Sequence, residues 1–435
     1  MKKTLVFGAA IFTAVSLFSA TIEQLIVRQQ WPWSAGIKIE YRISGVDAPV
    51  NISVSAANGQ TPIDANLVMS AVSGDVYGVS ENCIGTIHLD PVKLFGSAAV
   101  SLADFRVKLT PTAAPANINE VIYKVIDLDT GAVQDVSRAD FYNGRCGAYE
   151  TAYSKIKDNF STTLDDVLIW TDVTNRTEFM TSKMVFRKIP AKNVVWQMGE
   201  TDPDVNVSSQ NDPFWAKLDA DYYIGVFQVT QAQFDKFRHD DAAGHWGKYC
   251  TDETTYPDHL IYPVAGMNMG DTIRNGQAYT YLERMKAKCK LEVNLPTEAQ
   301  WEFACRGGNY AKALYSGRNY TSGALQELAW CKDNAEGKMH PVNTKYPNAY
   351  GLYGMLGNAG EYCFNRIFTY PTETTQESPV VNPGRDVTTG NFVYRGGTYK
   401  VSRVNMVSSY RHFPGGGELW KDYGVIGFRV CFPVP

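Results

Sequence analysis

Residues 37–43 read Ile-Lys-Ile-Glu-Tyr-Arg-Ile, apolar and charged positions alternating without a break. A period of two places every second side chain on one face and predicts a half-buried strand. Residues 50–54, 105–109 and 121–125 repeat the pattern. Turn-formers Gly45, Asn58-Gly59 and Gly74 separate them, and Asp129-Thr130-Gly131 closes the series. Short strands without a helical period predict an antiparallel sandwich, immunoglobulin-like in general build, over residues 22–136. The next stretch, 137–182, carries no sustained period. It reads as a connector or insertion, with a mixed run at 153–160 and a short apolar run at 167–170.

From residue 183 the pattern changes. Residues 222–229 read as a strand running into a helix, whose start is marked by Thr230 as N-cap and Gln233 as its capping-box partner. Val229 and Phe234 hold the hydrophobic-staple positions. Thr297 and Gln300 repeat the device, with Glu298 in the first turn where the helix dipole favours negative charge. Gly307-Gly308 would stop that helix. Residues 273–287 predict a further helix with Leu282 and Met285 on one side.

Residues 351–363 read Gly-Leu-Tyr-Gly-Met-Leu-Gly-Asn-Ala-Gly-Glu-Tyr-Cys. Glycines at this density give up backbone entropy when fixed, so something outside the segment must dictate its shape. Two candidates are a cation held by carbonyls with Asn358 or Glu361 nearby, and packing of Leu352, Tyr353, Met355 and Tyr362 into a core. The glycine spacing matches no phosphate cradle.

This stretch resembles the "GLYDMxGNVWEW" signature of the formylglycine-generating enzyme family, also called sulfatase-modifying factors. Leu-Pro-Thr-Glu-Ala-Gln-Trp-Glu-Phe-Ala-Cys-Arg-Gly-Gly at 295–308, Arg-Gly-Gly-Thr-Tyr at 395–399 and Gly-Phe-Arg at 427–429 follow in the family's order. The resemblance covers residues 184–432 and implies an α+β, C-type-lectin-like domain over 183–435. In the family's enzymes two cysteines hold copper, two and seven residues beyond the tyrosine of "RGGSY". Counted from Tyr399, those positions hold Val401 and Met406, and Thr398 stands where relatives have serine. Copper(I) wants soft thiolates; valine offers no ligand and one thioether a weak one. The resemblance therefore implies neither copper nor an active formylglycine-generating oxidase. The six histidines lack the HxxxHxE set of the superfamily's iron-dependent branch. For calcium, the resemblance carries over the carbonyls of Gly357 and Ala359 and the carboxylate of Glu361. Calcium asks for six to eight hard oxygens, and Gly354 replaces the family's Asn or Asp.

Two functions then compete. One is a binding or display module for a glycan or peptide, using Thr398, Tyr399, Tyr410, His412, Trp420 and Tyr423 around Gly415-Gly-Gly417. Aromatics on adaptable loops suit such recognition, although the same rings would serve equally to pack loops against a core. The other is a protein-modifying oxidase with an altered active site.

A net charge of −4 and no basic cluster argue against nucleic acid. Lys2 and Lys3 ahead of an apolar run at 5–18 predict a signal peptide over 1–20 and an exported protein; the run is shorter than a membrane helix needs. Eight cysteines in an exported chain predict disulfides, with Cys146 a partner for Cys83. Relatives often bridge the cysteine of the "EFACRGG" helix to that of a terminal "GFRC". Cys305 matches the first, but Cys431 lies one residue late, and a one-residue slip turns a strand side chain to the other face. That bridge is not expected.

Overall fold

The computed structural model describes residues 19–29, 36–97, 104–152, 165–200, 212–238, 258–266, 280–308, 322–387, 389–412 and 425–434. The expected signal peptide and the mixed run at 153–160 fall largely or wholly outside them. The chain divides into two compact units, Met1–Glu120 with Ser137–Arg145, and Val121–Val136 with Cys146–Pro435.

The first unit is mostly β. Strands β1 (Thr21–Gln29), β2 (Ile37–Ser44), β5 (Val72–Gly74) and β6 (Cys83–Leu89) form an antiparallel sheet in the order β1-β2-β6-β5; β3 (Val50–Asn58), β4 (Thr61–Pro62) and β7 (Phe105–Ala113) form another in the order β4-β3-β7. Strand β2 buries Ile37, Ile39, Tyr41 and Ile43 and turns the intervening charges outward. Those four join Val50, Ile52 and Val54 of β3 in one apolar core. Among the described residues of this unit are three short helices: α1 (Ala65–Ser70), α2 (Pro91–Phe95) and α3 (Arg138–Tyr142). Asp64, Asp90 and Ser137 cap them by accepting from backbone N–H groups of the first turn.

The second unit holds β8 (Val121–Asp127), β9 (Val133–Ser137), β10 (Tyr149–Ala152), β11 (Asp165–Trp170), β12 (Lys183–Ile189), β13 (Val195–Met198), β14 (Phe214–Lys217) and β15 (Tyr222–Gly225). After helices α4 (Gln231–Asp235), α5 (Tyr281–Cys289), α6 (Glu298–Cys305) and α7 (Ser322–Leu328) come β16 (Gly360–Arg366), β17 (Val380–Val381), β18 (Phe392–Arg395), β19 (Arg411–His412), β20 (Ile426–Phe428) and β21 (Cys431–Pro433). A five-stranded sheet runs β21-β15-β12-β8-β9. Alternation identified β8 as a strand but not its partner: it pairs antiparallel with β12, Lys183 opposite Asp127, in the second unit's sheet. Tyr223 and Phe432 belong to one apolar core, and their neighbours Tyr222, Ile224 and Cys431 to a second. Successive strand side chains point to opposite faces, so the sheet separates the two cores.

Both expected capping boxes form. Thr230 caps α4 with Gln233, and Thr297 caps α6 with Gln300. Helix α5 buries Leu282 and Met285 as expected, with its described turns at Tyr281–Cys289. None of the described helices is long and apolar enough to cross a membrane.

The disulfide expectation is corrected. Among the described residues Cys83, Cys289, Cys305, Cys331, Cys363 and Cys431 are free thiols, so Cys83 is not bridged to Cys146, and Cys250 lies outside the described residues. The face argument against a Cys305–Cys431 bridge is corrected too, because both thiols face the same core, yet they remain unbridged.

Candidate functional site

Helix α6 brings two carboxylates into the interior. Glu298 and Glu302 lie one turn apart on a helix whose other positions are mostly apolar, and both are fully buried. Three guanidiniums meet them. Arg395 donates from Nε to Glu298 (3.0 Å) and from Nη1 to Glu302 (2.9 Å); its Nη2 donates to the Tyr370 hydroxyl at 2.8 Å. Arg411 grips Glu298 with Nε and Nη2, both at 2.8 Å, and Arg306 donates from Nε to Glu302 at 2.9 Å. Burial resists ionisation of Glu298, but the charges of Arg395 and Arg411 outweigh it and hold its pKa below the ordinary carboxylate value. This cluster ties α6 to β18 and β19 and fixes the backbone on which the sequence-predicted candidates sit.

A second buried charge pair lies in the glycine stretch. Arg429 donates to both Glu361 oxygens, from Nε at 3.1 Å and Nη2 at 3.0 Å, and its remaining donors reach the carbonyls of Gly225, Val226 and Tyr353. Trp301 Nε1 adds a bond of 2.7 Å to Glu361 Oε2. Asn358 takes a left-handed backbone (φ 61°), and its side-chain amide exchanges bonds with the backbone N–H and C=O of His340. Gly357 has no room for a side chain, since a Cβ there would sit 2.1 Å from the Trp330 carbonyl oxygen. Of the two explanations for the glycines, packing is met directly: Leu352, Tyr353, Met355 and Tyr362 are all buried.

The calcium donors carried over from the resemblance do converge, but on a side chain. Gln228 Nε2 donates to the Ala359 carbonyl at 2.7 Å and to Glu361 Oε1 at 3.1 Å, with the Gly357 carbonyl at 3.5 Å. Three oxygens around an amide nitrogen fall short of a calcium shell, and Arg429 already balances the one carboxylate. The arrangement does not fit the ion.

The positions that would carry copper are apolar. Met406 is fully buried, its methyl 2.6 Å and its sulfur 3.3 Å from where a Cβ on Gly397 would stand. Val401 packs against the same core as Met406, half-buried. Burial pushes the Cys305, Cys363 and Cys431 thiols above the ordinary value, so none is poised as a thiolate. Among the described residues no group of three or more His, Cys, Asp or Glu is placed to hold a metal. These residues do not suit copper.

The aromatic candidates separate. Thr398 and Tyr399 are buried, Thr398 Oγ1 accepting from the Lys400 N–H at 3.2 Å. Tyr410 and His412 are half-buried neighbours, the hydroxyl 3.3 Å from Nδ1, and the His412 ring leans on Tyr394 with centroids 4.6 Å apart. Trp420, Tyr423 and Gly415-Gly-Gly417 lie outside the described residues. A polar cavity of about 400 Å³, lined among others by Thr171, Glu327, Asn343, Lys345 and Tyr353, contains none of these candidates.

The buried carboxylate–guanidinium network was missed by the pattern reading. Its signal was two glutamates four apart, and so on one face, of a helix whose remaining positions are mostly apolar.

The sequence profile of the sulfatase-modifying factor enzyme 1-like domain matches residues 181–432. The chain is similar to the formylglycine-generating enzyme of Bos taurus, 24% identical over 259 residues that cover 49% of this chain and 66% of the relative. It is similar to that of Mus musculus at 24% over 222 residues, covering 40% and 57%. It thus spans less than two thirds of either enzyme's length. Among solved structures, Treponema denticola variable protein 1 aligns with a TM-score of 0.43 and 25% identity, over 58% of this chain and 96% of that one.

Proposed function

Since the chain belongs to the formylglycine-generating enzyme, or sulfatase-modifying factor, family, we propose that it is a non-oxidase member, an exported module that binds or displays a glycan or peptide. The family's C-type-lectin-like fold supplies the scaffold. The observation that carries the reading is the apolar character of the two positions beyond Tyr399: Val401 has no donor atom, and Met406 is sealed in the core. Copper(I) chemistry needs thiolates there, and the described thiols elsewhere in this unit are buried.

Ligand contact is assigned to the surface at Tyr410 and His412, half-exposed rings before and within the short strand β19, which Arg411 and the neighbouring Arg395 tie to Glu298. A rigid strand beneath amphipathic rings limits the entropy lost on binding. Glycan and peptide arrays probed with the full chain test this. The reading expects a ligand whose affinity drops about tenfold in Tyr410→Ala or His412→Ala; binding indifferent to both substitutions, or none, counts against it.

For the first unit we read an immunoglobulin-like sandwich acting as a spacer or adhesion module, supported by the strand orders β1-β2-β6-β5 and β4-β3-β7. An experimental structure in which β2 and β6 do not pair would contradict this. Export rests on Lys2, Lys3 and the apolar run behind them; recovery of the expressed protein from the cytoplasm alone, with its first 20 residues intact, would overturn it.

A further inference from the structure

We propose that the side-chain amide of Gln228 is a built-in substitute for a cation, clamping the glycine stretch without bound metal. Four observations converge on it. First, the acceptors meet at one nitrogen: Gln228 Nε2 has two hydrogens and faces three oxygens, of Ala359 (2.7 Å), Glu361 (3.1 Å) and Gly357 (3.5 Å). Carbonyls separated by one residue and a carboxylate two residues further on point inward together, as they would around a positive centre.

Second, the charge is already balanced. Both oxygens of Glu361 accept from Arg429, so the buried pair is neutral before any ion arrives. A divalent ion added beside it would leave a buried excess of two positive charges, which low-dielectric surroundings penalise heavily. An amide N–H supplies partial positive charge at no such cost.

Third, the orientation of the amide follows its acceptors at the expense of its own oxygen. Gln228 is 2% exposed and its Oε1 is buried without a partner. Turning the amide over would remove the two good hydrogen bonds and set a fourth oxygen against the other three, which a cation alone could reconcile.

Fourth, Gly354 leaves space for that oxygen. A Cβ on Gly354 would lie 3.5 Å from Gln228 Oε1, so a longer side chain there would compete with the amide for its place, and the left-handed backbone (φ 62°) further favours glycine.

Gln228 is thus a positioning residue for the segment 354–361, and one substitution should turn the clamp into a calcium site. Gln228→Glu places a second carboxylate against Glu361 in nearly the same volume, so a cation becomes the means of relieving their repulsion. Thermal melting of the full chain in chelator and in millimolar calcium tests this. The wild type is expected to melt at the same temperature in both. Gln228→Glu is expected to melt lower in chelator and to regain about 5 °C or more in calcium, the shift a site saturated about a hundredfold over its Kd gives in a body of this size. Calcium stabilisation of the wild type by a similar amount would overturn the proposal, because Gln228 would then be serving as a ligand. A Gln228→Glu variant that folds but ignores calcium would also overturn it. If the variant does not fold, terbium binding to the wild type decides. Sensitised emission through the Trp301 indole, displaced by calcium, would contradict the proposal, and its absence is the expected result.

Discussion

Glu298→Gln is the perturbation that asks most of the buried charge network. Glu298 is fully buried and accepts from Arg395 Nε, from Arg411 Nε and Nη2, and from Asn365 Nδ2 at 3.2 Å. Glutamine retains the volume and one acceptor, but sets an NH2 group against donors and removes a charge. The cluster of three guanidiniums and two carboxylates then goes from a net +1 to a net +2, inside the protein. Removing one partner of a buried pair costs about 3–5 kcal/mol. At roughly 2–4 °C per kcal/mol for a body of this size, Tm should fall by about 6–20 °C at pH 7. Scanning fluorimetry gives the Tm, and urea denaturation gives the free energy with an m-value that should not change. The effect also has a pH signature. The folded-state pKa of Glu298 is depressed. Its contribution is therefore fully present above the unfolded carboxylate value, about 4.3, and is lost as pH falls through the lower folded value. The wild type and variant should converge in acid. A variant within about 2 °C of wild type at neutral pH, well short of the cost of an unpaired buried charge, or a gap that persists below the folded pKa, would refute the reasoning.

Other outcomes follow from local geometry. Gly357→Ala should cost more than about 1 kcal/mol, because it forces a side chain into a left-handed backbone (φ 75°) and against the Trp330 carbonyl; equilibrium unfolding measures it. Thr297→Ala removes the cap of α6 and should cost about 1 kcal/mol, largely restored by Thr297→Ser. Native-state thiol labelling with peptide mapping should modify Cys83 ahead of Cys146, Cys289, Cys305, Cys331, Cys363 and Cys431, which are buried. Detection of a bridged peptide joining any two of Cys83, Cys289, Cys305, Cys331, Cys363 and Cys431 would contradict the free-thiol description.

Much of the fold was legible because local signals agreed with the final structure. The unbroken alternation at 37–43 has one buried face in β2, and the Thr-x-x-Gln boxes at 230 and 297 open helices where they stand. What periodicity cannot carry is partner choice. Residues 121–125 carry an imperfect period of two, broken by Ile122, and β8 buries both faces through Ile122, Tyr123, Val125 and Ile126 as an inner strand beside β12; nothing in the period says which sheet takes it. Cys431 shows the same limit: counting residues along β21 gave its side relative to Val430, but not that Cys305 lies on that side.

The candidate site was legible in parts. The motif segments meet in space: Glu298 and Glu302 of α6 bind the arginine of Arg-Gly-Gly, and Glu361 binds that of Gly-Phe-Arg. Gln228 lies in the run 222–229, whose pattern gives only a strand entering a helix; its acceptors are more than a hundred residues away, and only the three-dimensional structure brings them together. Tyr399 drew attention as an aromatic beside glycines, but its ring belongs to the core.

The measurement that bears most directly on the central claim is a copper(I) titration of the reduced full chain against a competing chelator, with thiol counting and a cysteine-containing peptide as substrate. The account predicts no tight stoichiometric site, no pair of thiols protected by the metal and no oxidation of the peptide, because Val401 and Met406 stand where thiolates would be needed. Tight binding of one copper with two thiolates protected, together with peptide oxidation, would contradict it.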